Sequence, residues 1–160
     1  MQEVNAVEKK ERSAKNKTSL KMLIVNDEPA GAELLRKMLA PFGETGIVFS
    51  TKEAMEAFQS TLKEGKPFDL ICIDMMSETN GRITLRHIRK IEREKKVHAL
   101  DGVKIMMITA AEDRQNNLKA FKSGCEGYLK KPVDEKKLIN LLKTLSFDNK
   151  ALKKIKLKEN

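Results

Sequence analysis

Five short apolar runs alternate with longer helical patterns along the middle of this 160-residue chain, and this alternation constrains its fold more than any other feature. In chain order the apolar runs are 20–25, 47–49, 68–73, 103–108 and 127–130. Between them, apolar residues recur at the spacing of three and four that is typical of amphipathic helices. Strands that alternate with helices form βαβ units, so the sequence predicts a parallel sheet with helices on both faces.

Local signals indicate where the five predicted helices begin. We expect them to start near capping or turn residues, in chain order Pro29, Ser50, Gly81, Glu112 and Asp134. One face of the first helix is predicted to be buried through Leu34, Leu35, Met38 and Leu39. These starting points leave only short connections between the strands and the helices.

The net charge of +9 raises the question of nucleic-acid binding. Residues 1–18 carry five basic against three acidic side chains and residues 147–160 carry five against two, so more than half of the excess lies in the two ends. The chain has no Trp and one Tyr, which leaves no aromatic platform for bases to stack on. We therefore interpret the basic ends as solvated tails and do not predict nucleic acid as a partner.

The sequence also points to the compartment of the chain. No apolar run approaches the length of about 18 residues that a membrane helix requires, and the first 18 residues lack the apolar core of a secretory signal. Cys72 and Cys125 lie far apart, and neither is part of a C-x-x-C pair. We expect a cytoplasmic protein without a membrane partner, in which both cysteines are free, buried thiols.

Polar side chains interrupt the chain where four of the five strands end. Asn26, Asp27 and Glu28 follow the first strand, Asp74 ends the third, Thr109 ends the fourth and Lys131 follows the fifth. In a parallel sheet these ends lie at one edge, which is where such sheets bind ligands.

The residue types at that edge suit phosphoryl transfer. Two neighbouring carboxylates repel unless a cation lies between them, and Mg²⁺ is usually held by one or two carboxylates together with water and phosphate oxygens. Lysine offers a positive charge to a phosphate, and threonine offers a hydroxyl donor. The set therefore indicates phosphoryl transfer to an aspartate, with Asp74 as the nucleophile.

Four motifs in this order carry a resemblance to a known family: LIVNDEP, DLICIDMM followed by NG, MITA, and GYLKKP. The chain resembles the receiver (CheY-like) domain of two-component response regulators over about four-fifths of its length. The resemblance implies an α/β, flavodoxin-like, doubly wound (βα)5 fold with a five-stranded parallel sheet in the order 2-1-3-4-5. It places the receiver domain at 19–146, with a disordered basic tail at 1–18 and a lysine-rich tail at 147–160.

The resemblance also implies roles for single residues. Asp74 would be the phosphoacceptor, Thr109 the switch hydroxyl, Tyr128 the switch aromatic and Lys131 the phosphate-binding lysine. The bond between Lys131 and Pro132 is expected to be cis.

The expected cofactor is Mg²⁺. Its ligands would be the carboxylates of Asp27 and Asp74 and the backbone carbonyl of Met76, with Asn26 or Glu28 in a secondary position. Asn26 stands where the family usually has a second acid, so we expect weaker Mg²⁺ binding with the chemistry retained.

A second departure from the family pattern lies beside the phosphoacceptor. The family usually has a proline two residues after it and a glycine eight residues after it, whereas here the proline is absent and Gly81 follows Asp74 after seven residues. The loop is therefore one residue short, and this puts its geometry and the Met76 carbonyl in question.

We interpret the chain as a stand-alone receiver that is a signalling switch rather than an enzyme. A sensor histidine kinase would phosphorylate Asp74, and the face formed by the fourth helix, fifth strand and fifth helix would then repack to signal to an unknown downstream protein. Dimerisation on phosphorylation is left open. The alternative is a phosphorylation-independent pseudo-receiver that acts as a protein–protein adaptor. A flavin- or nucleotide-binding enzyme is disfavoured because the NDEPAG turn is acidic where a phosphate cradle would be rich in amides.

Overall fold

A computed structural model describes residues 19–98, 101–110, 119–120, 122 and 124–145. It contains one five-stranded parallel sheet in the order β2-β1-β3-β4-β5, which confirms the predicted topology. The strands are β1 (Leu20–Asn26), β2 (Gly43–Val48), β3 (Leu70–Asp74), β4 (Lys104–Thr109) and β5 (Gly127–Lys130). The helices of the described residues are α1 (Pro29–Leu39), α2 (Thr51–Lys63), α3 (Glu78–Glu94) and α4 (Glu135–Thr144), with a 3-10 turn at Ala40–Phe42.

Three predicted regions cannot be compared with this fold. The expected start of the fourth helix at Glu112 lies outside the described residues, and so do both predicted tails, 1–18 and 147–160. The helix α4 is thus the fifth helix of the sequence analysis. In the described parts of the chain, no helix combines the length and the apolar character that would carry it through a membrane.

The central strand β1 shows why the apolar runs are continuous. Met22 and Ile24 pack into the core beneath α1 and α4, whereas Leu23 and Val25 pack into the core on the side of α2 and α3. Side chains alternate between the two faces of a strand, so a strand that is covered on both faces must be apolar at every position. The runs therefore identify the buried inner strands.

The edge strand β2 begins four residues before the predicted run at 47–49, which makes that boundary wrong. Its residues are only intermediate or exposed in burial, because β2 has a neighbour on one side alone. An edge strand does not need an unbroken apolar sequence. Residues 43–46 therefore carry no hydrophobic signal of their extended structure.

The third helix starts earlier than the sequence predicts. Ser77 is its N-cap, with its hydroxyl accepting a hydrogen bond from Asn80 N at 3.2 Å, so that Gly81 lies inside the helix rather than before it. Only three residues, 75–77, therefore connect Asp74 to α3.

Other local predictions agree with the structure, with one exception. Pro29 occupies the first turn of α1, the Ser50 hydroxyl accepts from Glu53 N at 3.1 Å, and the Asp134 carboxylate caps α4. Leu34, in contrast, is 58% exposed, because only Ala32, Leu35 and Leu39 of α1 face the sheet closely enough to be buried.

The predicted thiols and peptide bond are also confirmed. Cys72 and Cys125 are free and buried, and the bond between Lys131 and Pro132 is cis.

Candidate functional site

The carboxyl edge of the sheet brings the predicted polar residues together. Asn26 ends β1 directly opposite Asp74 at the end of β3, as the register of the two strands requires. Thr109 ends β4, and Lys131 follows β5, where its backbone N–H donates to Thr109 O at 2.7 Å. Asn26, Asp74 and Thr109 are all buried, at 2%, 6% and 5% exposure. Three polar residues at such depth mark this edge as a site rather than as ordinary surface.

Both carboxylate oxygens of Asp74 have a partner. Lys131 Nζ lies 2.6 Å from Oδ1, and Asn26 Nδ2 donates a hydrogen bond to Oδ2 at 3.1 Å. Burial raises the pKa of Asp74, the ammonium of Lys131 opposes that rise, and the nearby charges of Asp27 and Glu28 add to it. The carboxylate is thus a desolvated nucleophile with a lysine on one oxygen and an amide on the other.

The Asn26 side chain is held in place by its own surroundings. Its Oδ1 accepts a hydrogen bond from Glu28 N at 2.8 Å, which leaves Nδ2 to point at Asp74. A Cβ atom on Gly31 would lie only 3.0 Å from Asn26 Nδ2, so the absence of a side chain at Gly31 makes room for the amide. Sequence reasoning assigned Asn26 only to the metal and missed this direct contact with Asp74.

Asp27 reaches across to the loop after β3. Its Oδ1 and Oδ2 accept from Met76 N at 3.0 and 3.3 Å. Asp27 does not cap α1, since Glu28 is the N-cap residue and no side chain makes a capping hydrogen bond there. The contact fixes the backbone of Met76 beside the site, while the Met76 side chain is 66% exposed.

The donors at this edge fit a hard divalent cation. Asp27 and Asp74 provide two carboxylates, and the neighbouring charges already raise the pKa of Asp74, a repulsion that a cation would relieve. No group of three or more His, Cys, Asp or Glu that could hold a metal occurs among the described residues. Mg²⁺ needs only one or two carboxylates, because water and phosphate oxygens complete its shell. Glu28, which lines the same groove as Asp74, carries a further carboxylate.

A small cavity of about 10 Å³ is lined by Thr109 and Tyr128. Gly81, Arg82 and Met107 also line it. Its volume is about that of one water molecule. Arg82 Nε is buried there without a hydrogen-bond partner among the described residues. The sequence analysis missed Arg82, although its place directly after the Asn-Gly pair of the shortened loop could have drawn attention to it.

An open groove of about 390 Å³ gives access to Asp74 from the side of α1. Its lining includes Glu28, Leu34, Met38, Asp74, Lys131 and Val133. The exposed Leu34 is one of the apolar residues that line this groove, together with Met38 and Val133. A large apolar side chain at the surface of α1 is thus part of a groove rather than an isolated exposed residue.

The response regulator receiver domain family matches residues 22–143 of the chain. The osmosensing histidine protein kinase SLN1 of Saccharomyces cerevisiae is 28% identical over 131 residues, which are 80% of this chain and 10% of the kinase. The chain thus spans a tenth or less of the curated hybrid kinases that it matches.

Solved structures share the fold. The chemotaxis protein CheY4 of Vibrio cholerae has a TM-score of 0.66 at 21% identity, covering 80% of this chain and 99% of that one. The receiver domain of the S. cerevisiae response regulator Ssk1, solved with the histidine phosphotransfer protein Ypd1, has a TM-score of 0.61 at 27% identity, covering 76% and 84%. A family match over three-quarters of the length, on a 2-1-3-4-5 sheet with the expected residues at one edge, leads to a single conclusion: the chain belongs to the response regulator receiver domain family of two-component and phosphorelay signalling.

Proposed function

We propose that Asp74 accepts a phosphoryl group from the phosphohistidine of a sensor histidine kinase or of a phosphotransfer protein, in a Mg²⁺-dependent reaction. The observation that carries the proposal is the state of Asp74, a buried carboxylate with Lys131 Nζ 2.6 Å from one oxygen and Asn26 Nδ2 3.1 Å from the other. No other aspartate among the described residues combines such burial with a lysine partner.

In the reaction, a carboxylate oxygen of Asp74 attacks phosphorus in line as the bond from phosphorus to the imidazole nitrogen of the donor breaks. Lys131 stabilises the negative charge on the phosphoryl oxygens, and the Asn26 amide holds the carboxylate in one orientation. Mg²⁺ held by Asp27, Asp74 and the Met76 carbonyl, with Glu28 or Asn26 in a secondary position, would neutralise further charge on those oxygens.

Phosphorylation adds a charge of about −1.5 to −2 at neutral pH. The Thr109 hydroxyl would move toward the phosphate, and Tyr128 would turn inward behind it. The cavity that both residues line holds only about 10 Å³, so an inward turn of Tyr128 would require its lining to rearrange. The face around β5 and α4 would repack as a result and signal to a downstream protein or to a second copy of the chain.

The groove between α1 and Lys131 suits docking of the phosphoryl donor. It is apolar, it opens onto Asp74, and it contains the exposed Leu34. The complex of the Ssk1 receiver with Ypd1 supports a histidine phosphotransfer protein as one class of partner. Such a partner would meet this chain in the cytoplasm.

A second candidate function is a phosphorylation-independent adaptor. Only three residues connect Asp74 to α3, and the N–H of Met76 is already bound to Asp27. If this loop cannot rearrange, the Met76 carbonyl and Asp27 cannot serve a metal, and the receiver would bind partners without being phosphorylated.

The deciding experiment is incubation with Mg²⁺ and acetyl phosphate, followed by intact mass measurement. We expect an added, base-labile phosphoryl mass on the wild type and on Asp101→Asn, an exposed matched control, and none on Asp74→Asn. If neither the mass nor the backbone amide spectrum with beryllofluoride changes, phosphorylation of Asp74 is wrong and the adaptor takes its place.

A further inference from the structure

The second half of α3 carries a row of basic side chains away from the phosphorylation site. Arg86, Arg89 and Arg93 are spaced by three and four residues, which places them on one face of the helix. Together with Lys119 and Lys122 they line an open concavity of about 420 Å³. None of the carboxyl-edge residues of the candidate site lines it.

Arg89 acts as the structural brace of this face. Its Nε donates to Gly124 O at 2.9 Å, one terminal nitrogen lies 2.5 Å from Glu92 Oε1, and the other lies 2.7 and 2.8 Å from the two carboxylate oxygens of Glu126. Gly124 has a φ of +106°, and an added Cβ would meet Arg89 at 3.2 Å, so this position requires glycine. The side chain of Arg89 is 13% exposed and is not available to a ligand.

The two acids beside the concavity are already used. Glu92 Oε2 accepts from Val103 N at 2.8 Å, and Glu126 Oε2 accepts from Ile105 N at 2.6 Å, in addition to their pairing with Arg89. These hydrogen bonds tie α3 to the start of β4, so neither carboxylate is available to pair with another cation. Glu92 and Glu126 therefore do not neutralise Arg93, Lys119 and Lys122, the exposed cations that line the concavity.

Arg93, Lys119 and Lys122 are exposed, and no described carboxylate is paired with any of them. A second concavity of about 370 Å³ shares Arg93 and Lys122 with the first, and the two acids that pair with Arg89, Glu92 and Glu126, also line it. Three such cations that converge on one hollow repel each other. A ligand of opposite charge would relieve this repulsion.

The shape and composition of the hollow favour one class of ligand. Double-stranded DNA is read by elements that protrude into a groove, and a concave wall cannot do so. Single strands bind through aromatic stacking, and none of the residues that line the two concavities is aromatic. Carboxylates on short side chains can enter a hollow of this size and form ion pairs with its lysines and arginine.

We propose that the surface formed by Arg93, Lys119 and Lys122, braced by Arg89, is a docking site for an acidic, Asp/Glu-rich segment of a partner protein. The surface lies on α3 and at Lys119 and Lys122, and none of the carboxyl-edge residues of the candidate site lines it. Because the two lysines fall within the predicted fourth helix, the surface adjoins the face that is expected to repack on phosphorylation.

The test uses the full chain and a fluorescein-labelled 16-residue peptide of glutamate and alanine, with binding followed by fluorescence anisotropy at low salt. The triple variant Arg93→Gln/Lys119→Gln/Lys122→Gln removes the cations of the hollow. The matched control Lys52→Gln/Lys66→Gln/Lys136→Gln removes three exposed lysines elsewhere and has the same net charge. Each exposed ion pair contributes little, so we expect the hollow variant to bind about tenfold more weakly and the control to stay within about threefold of the wild type.

Several results would overturn the proposal. An equal loss in both triple variants would mean that only net charge attracts the peptide. No measurable binding by the wild type, or peptide-induced amide shifts away from α3 and residue 122, would remove the site altogether. A further contradicting result is that a single-stranded DNA of the same charge binds more tightly than the peptide and loses that binding only in Arg93→Gln/Lys119→Gln/Lys122→Gln. That result would mean that the ligand of this surface is nucleic acid rather than an acidic protein segment.

Discussion

The contact between Asn26 and Asp74 makes a quantitative prediction about the site. In Asn26→Asp, a hydrogen bond to a charged acceptor, which typically contributes about 1.5–3 kcal/mol, is replaced by two facing carboxylates. At the observed 3.1 Å their repulsion is about 5 kcal/mol with an effective dielectric constant of about 20. Protonation of one of the two carboxyls limits this penalty. Adding that proton costs about 1.4 kcal/mol for each pH unit above the usual carboxyl pKa of about 4, which amounts to about 4 kcal/mol at pH 7.

We therefore expect Asn26→Asp to lose about 2–4 kcal/mol of unfolding free energy at pH 7 in EDTA, since Lys131 offsets part of the repulsion. The pH dependence of this loss follows from the raised pKa of the carboxyl pair in the folded state. The loss of unfolding free energy is full above that raised pKa and shrinks as the pH falls toward about 4, the usual carboxyl pKa of the unfolded chain. Urea unfolding followed by far-ultraviolet circular dichroism measures it, since the chain has no Trp. The midpoint should move down by about 1–2 M.

The control is Asn140→Asp, which adds the same charge at an exposed position of α4. If Asn26→Asp unfolds at the same urea concentration as this control, the contact with Asp74 and the burial argued from it are refuted. Mg²⁺ adds a separate measurement, because a cation bound between the carboxylates stabilises the folded state by mass action. We expect Mg²⁺ to raise the midpoint more in Asn26→Asp than in the wild type, and an equal rise would contradict the proposed metal position.

Three further predictions concern stability and reactivity. Gly31→Ala should bring none of the gain of about 1 kcal/mol that alanine usually gives in a helix, because its methyl group would press on the Asn26 amide at 3.0 Å; a gain of that size in urea unfolding would contradict the contact. Arg89→Met should lose about 3–5 kcal/mol in the same assay, since it leaves the two carboxylates of the brace without their cation, and a loss below about 1 kcal/mol would show that the brace is not formed. Burial raises the pKa of the Cys72 thiol to about 12 and that of the Cys125 thiol to about 11. Ellman's reagent at pH 8 should therefore react with neither thiol until urea unfolds the chain. Rapid labelling of the folded protein would refute the burial of these thiols.

The sequence by itself determined the architecture and the edge of the sheet at which the polar residues Asn26, Asp74 and Thr109 meet. Inner strands that are covered on both faces must be apolar throughout, so β1 and β3 are recognisable as continuous runs, and the parallel sheet follows from their alternation with helices. Because parallel strands end at one edge, the order of the motifs alone places Asp74 and Lys131 together. Short-range capping signals such as Ser50 and Asp134 were equally readable.

Only the tertiary structure decided how these residues are used. The edge strand β2 lacks a hydrophobic pattern because half of its surroundings are solvent, and the early start of α3 depends on how a shortened loop meets the sheet. The Asn26 amide turns to Asp74 because Glu28 N takes its oxygen and Gly31 leaves it room, which are contacts among residues on different elements. The same holds for the basic concavity, since the position of the Glu126 carboxylate, which lies far from Arg89 in the sequence, decides that Arg89 is occupied. Local patterns specify elements, whereas partners are specified by distances that only the packed fold defines.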